Sequence, residues 1–71
     1  MYTLQYQDVA GQSQMQEVDA NRTKMVWYLS TFEHPILAVY ENASPVTKSI
    51  RAELAKWPGT MTASARAFAT T

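Results

Sequence analysis

The side chains that could do acid–base or metal chemistry are few and scattered. The one histidine, His34, stands between Glu33 and Pro35. It could act as a general base or a pH-sensitive contact. With no second histidine and no cysteine to share a metal, it reads instead as a solvated residue at a corner between two elements. Asp8, Glu17, Asp19, Glu33, Glu41 and Glu53 show neither DxD nor ExxH spacing. The serines at 13, 30, 44, 49 and 64 lie in no GxSxG context that would expose a nucleophile. Gly11 and Gly59 are the only glycines, too few for a phosphate-cradling loop. These residues predict no cofactor, no metal and no enzymatic activity.

Binding chemistry is better represented. Trp27 falls on a helix whose core face is already supplied by Met25, Leu29 and Phe32. Tryptophan buries a large area with few rotors, so a surplus tryptophan is a candidate anchor in a partner's pocket. Leu37 and Val39 alternate with Ile36, Ala38 and Tyr40 along one strand. They form a second candidate contact pair on its outer face. Gln14 and Gln16, with Gln12, line a polar segment that could lie at a sheet edge and accept a strand from another protein. Lys48, Arg51, Lys56 and Arg66 are the alternative: four cations that could follow a phosphate backbone. Six basic against six acidic residues leave no net charge to support that nucleic-acid reading. A self-associating structural protein, in the simplest case a homodimer, is a further alternative, since an exposed apolar strand face invites a second copy.

These residues need elements to position them. Tyr2, Leu4 and Tyr6 alternate with polar neighbours, the period of a strand with one buried face. A turn at Asp8–Gly11 follows, with Gly11 free to take a positive φ, and then a polar strand from Gln12 to Val18. Met15 and Val18 would lie on opposite faces of a regular strand, which suits an edge position or a bulge. Asp19 or Asn21 caps a helix that runs to about Phe32, where Pro35 forbids continuation. Ile36 to Glu41 is the most apolar strand. Ser44-Pro45 reads as the N-cap and first position of a second helix. That helix carries Val46, Ile50, Leu54 and Trp57 on one stripe and stops at Pro58-Gly59. Residues 60–71, TMTASARAFATT, read as a flexible tail or a short helix.

The 71 residues make one domain, at 1–59, with the tail appended. The order β-β-α-β-α predicts an α+β fold. It is a small two-layer sandwich: a three-stranded antiparallel sheet, order 2-1-3, packed by two helices. Without cysteine the fold rests on apolar packing alone. The N-terminal residues lack the pattern of a secretory signal. No run is long enough to span a membrane. Together these point to a cytoplasmic protein with no membrane partner. The combined expectation is a small non-enzymatic module that modulates or inhibits a larger protein. Phage and mobile-element accessory proteins are one common source of such chains.

Overall fold

A computed structural model describes all residues, 1–71. Strand β1 (Tyr2–Gln7) and β2 (Ser13–Val18) form the expected hairpin. Its turn is built by Asp8. The Oδ1 atom of Asp8 accepts from the backbone N–H of Ala10 and of Gln12, both at 2.9 Å. Gly11 completes the turn at φ 81°, a conformation that needs no Cβ. The strands pair without interruption from Tyr2–Val18 to Gln7–Ser13.

Helix α1 (Arg22–Ser30) starts at Asn21, whose side chain accepts from Lys24 N at 2.8 Å. It buries Met25, Val26 and Leu29, while Phe32 enters the core just past its end. Strand β3 (Ile36–Glu41) then pairs antiparallel with β1, making β1 central. The class and the placement of β1 are as read from the sequence.

Three features differ. First, the sheet has four strands, in the order β2-β1-β3-β4. Ser44 and Pro45 do not open a helix; they form the short β4. The cause is a two-residue turn at Asn42 and Ala43, which both take positive φ (48° and 70°). That geometry matches the twist of a hairpin. Helix α2 (Thr47–Ala55) begins two residues later. Thr47 is turned back to the sheet, where its hydroxyl accepts from Val39 N (3.1 Å) and donates to Val39 O (3.3 Å).

Second, Val39 lies in the core and not on the outer face. Gln5 pairs with Ala38, but Tyr6 pairs with Ile36, so Leu37 is an extra residue without a partner. This bulge breaks the alternation. Ile36 and Val39 both face the helices, opposite Tyr6 and Leu4. Ala38 and Tyr40 turn to the other face.

Third, the C-terminal residues take the short-helix alternative, as α3 (Ala63–Ala69), and a third helix joins the two expected. Thr62 caps it by accepting from Ala65 N at 3.1 Å, and donates to the Phe32 carbonyl at the end of α1. Ala65, Phe68 and Ala69 are buried. The radius of gyration, 11.0 Å, matches the roughly 11 Å expected of a compact chain this long, so no segment trails away.

All three helices pack on one face of the sheet around a single core. Tyr2, Leu4, Met25, Leu29, Val39, Ile50 and Leu54 are its fully buried members. Trp57 and Met61 close one margin as partly buried side chains, with the backbone of Gly59 against the Trp57 indole.

Candidate functional site

The two margins of the sheet are unlike. On the β3 side, β4 is two residues long and contains Pro45. Val46 N donates to the Val39 carbonyl at 2.9 Å, and Thr47 occupies the Val39 N–H. That margin has little left to offer a neighbour.

The β2 margin is open. Asp8 N donates to Gln12 O at 2.9 Å, which makes Asp8–Gln12 a hydrogen-bonded pair. Pairs alternate in an antiparallel ladder. Gln14, Gln16 and Val18 therefore turn their backbone groups towards β1, and Ser13, Met15 and Glu17 turn theirs outwards. Edge strands are normally protected by brevity, charged side chains, proline or a bulge. β2 has six residues, no proline, an unbroken register and a single charge, Glu17.

The helix side of this margin carries a shallow groove. Val18, Asp19, Ala20, Lys24, Trp27 and Tyr28 line it. Trp27 is 57% exposed. It is the largest apolar side chain on the surface and does not lie beneath α2 or α3. Next to it, Tyr28 meets Phe32, which clusters with Tyr6 and His34 in edge-on and tilted contacts with centroid separations of 5.1 to 5.7 Å. His34 is thus half-buried against Tyr6 and Phe32, a packed position in place of the expected solvated corner.

Gln16 Nε2 donates to the Tyr28 hydroxyl at 2.6 Å, and Gln14 Nε2 donates to Asp8 Oδ2 at 3.0 Å. Both amides are occupied within the chain, so the edge is offered by the backbone of their odd-numbered neighbours. Leu37, at the bulge, is partly exposed at 39%, far from β2 across the sheet; Val39 is fully buried. Met15, on the helix-free face and 60% exposed, is an apolar edge residue that the sequence does not single out. The deciding feature is the closure of the turn as an Asp8–Gln12 pair, which sets which residues of β2 point their backbone outwards.

The four cations do not form one surface. Arg51 Nε donates to the Phe68 carbonyl at 3.0 Å, and its guanidinium lies 4.7 Å from the Phe68 ring centroid. It fastens α3 to α2. Lys48 and Lys56 flank opposite ends of α2, and Arg66 is exposed on α3. Arg22, by contrast, bridges α1 to α2 through Glu53 and Ser49. Glu53 holds the Arg22 guanidinium firmly charged. Exposed pairs of this kind contribute under about 1 kcal/mol.

No three histidine, aspartate or glutamate side chains converge as a metal-binding group. No helix is long and apolar enough to cross a membrane. No family model, curated protein or solved structure matches this chain. The functional reading therefore rests on the β2 margin itself.

Proposed function

We propose that this chain is a non-enzymatic protein-binding module, a cytoplasmic modulator or inhibitor that captures an extended segment of a larger protein along β2. One observation carries the reading: a six-residue edge strand with no proline, no lysine and no bulge, whose single charge is Glu17, bordered by a groove that holds Trp27 and Tyr28. A segment added to β2 would bond to the backbone of Ser13, Met15 and Glu17. Its alternate side chains would point to the helix layer, where Val18, Trp27 and Tyr28 provide an apolar seat. Main-chain bonds would supply affinity and the groove would supply selectivity.

The test is capture from a lysate of the source organism, with wild type, Trp27→Ala and Met15→Pro compared. Proline at 15 removes an N–H that points away from β1, so the ladder with β1 is kept. Both variants are expected to fold and to lose the captured protein. If Met15→Pro captures as much as wild type, strand addition is wrong. If Trp27→Ala does, the groove is not the seat. Capture that disappears at moderate salt, or that transfers to an oligonucleotide, would favour the phosphate-backbone alternative.

A further inference from the structure

We infer that the β2 edge also pairs with β2 of a second copy, in an antiparallel two-fold dimer centred on Met15. The inference deepens the reading above by naming how the same edge is regulated, and it rests on that reading only for the competition described below.

The register follows from the pleat. A two-fold axis perpendicular to the sheet keeps both helix layers on the same side, so residues that face each other must share a face. Odd residues must meet odd residues. Centred on Met15, the pairing sets Met15 opposite Met15, and Ser13 opposite Glu17 of the second copy. Those three are the residues whose backbone groups point outwards, so every free N–H and C=O among them finds a partner. No like charges meet. Centring on Gln16 would set each Met15 against a Glu17 carboxylate. Centring on Gln14 would leave Glu17 beyond the paired segment.

The Met15 register also accounts for the distribution of exposed apolar side chains. Five large ones are exposed: Met1, Val9, Met15, Trp27 and Leu37. Three of them, Val9, Met15 and Trp27, belong to the β2 side. In this dimer the two Met15 side chains meet at the axis. Gln12 lies opposite Val18, which lines the Trp27 groove, so the hairpin turn with Val9 comes alongside that groove. Val9 is 95% exposed in the single chain, an odd place for valine unless something covers it.

An interface of one strand per copy is at the small end of stable contacts, so the dimer exchanges and a competing strand can displace it. Self-pairing then masks the edge until a partner is present.

The chain has no cysteine, so any introduced one reports contact between copies without background. Met15→Cys places two thiols across a hydrogen-bonded pair with Cα atoms about 5.5 Å apart, within disulfide reach. It is expected to cross-link to completion under mild oxidation. Ser13→Cys and Glu17→Cys are expected to cross-link poorly alone and readily when mixed. Wild type at about 100 μM, well above a micromolar dissociation constant, should sediment near twice its 8.0 kDa mass. Met15→Lys, which opposes two cations at the axis, should sediment at 8.0 kDa with an unchanged fold. A strictly monomeric wild type overturns the dimer. So does a Met15→Cys variant that cross-links no faster than Ser13→Cys alone. The mixed Ser13→Cys and Glu17→Cys dimer, once cross-linked, should capture less partner than wild type at the same concentration, and reduction should relieve the loss. Equal capture before and after reduction, in a preparation whose wild type does capture, overturns the masking. No capture by wild type itself is instead a failure of the protein-binding reading.

Discussion

The side chain of Tyr2 is buried to 1% exposure, yet its hydroxyl has no hydrogen-bond partner. Burial chiefly, and the Glu41 carboxylate next, push its pKa up, against the opposing Arg22 guanidinium. Neither Glu41 nor Arg22 reaches hydrogen-bond geometry with it. An unmet buried hydroxyl is a cost, so Tyr2→Phe should leave stability unchanged or raise it by about 1 kcal/mol in denaturant unfolding. Asp8 shows the opposite case. The Gln12 N–H first, then the Gln14 amide and the Ala10 N–H, hold its carboxyl below the usual value. A depressed folded pKa means stability that is complete above the unfolded value and lost as pH falls through the folded one. Acid should therefore loosen the hairpin. Asp8→Asn should flatten the fall of melting temperature below about pH 4, the value at which an unperturbed Asp titrates. Trp27→Ala removes an exposed side chain with no core neighbour to lose, so thermal stability should move by less than about 0.5 kcal/mol.

At the scale of elements, the turn between β3 and β4 holds a correctable strain. Ala43 sits at φ 70°, where a Cβ is crowded. Ala43→Gly should stabilise by about 1 kcal/mol, a rise of about 4–8 °C in Tm for a domain this size. The same turn explains what was hidden in the sequence. Two-residue hairpins announce themselves by Asn-Gly or Asp-Gly, and Asn42-Ala43 carries half of that signal. Ser44-Pro45 then resembles a helix start. The β1–β2 hairpin, α1, β3 and the stripe of α2 were legible because their periods are clean. The bulge at Leu37 was not. It depends on how Tyr6 pairs, in a strand far off along the chain, and alternation within β3 alone gives Val39 the wrong face. The surplus of Trp27 was readable on α1. The edge position of β2 was readable too, but not the outward-pointing backbone of Met15, since that depends on how the hairpin closes.

At the scale of the molecule, α3 is part of the fold and not a tail. Phe68 fills the core, its carbonyl takes a bond from Arg51, and Thr62 ties the helix to Phe32. Phe68→Ala should cost about 3–5 kcal/mol. That equals the whole stability a core of this size commonly provides, about 3–5 kcal/mol. The variant, and a chain ending at Met61, should therefore lose cooperative thermal unfolding by circular dichroism. Thr70→Ala, on an exposed residue past the helix, should melt like wild type.

The position of β1 has a consequence in time. The middle strand of the sheet, β1, is made before both of its neighbours, and the second of them, β3, is made only after β2 and α1. The core is complete only with Phe68 and Ala69 of α3. A nascent chain stalled before Phe68 is expected to remain protease-sensitive, with its sticky β2 edge exposed. The full fold should appear only once α3 is free of the exit channel.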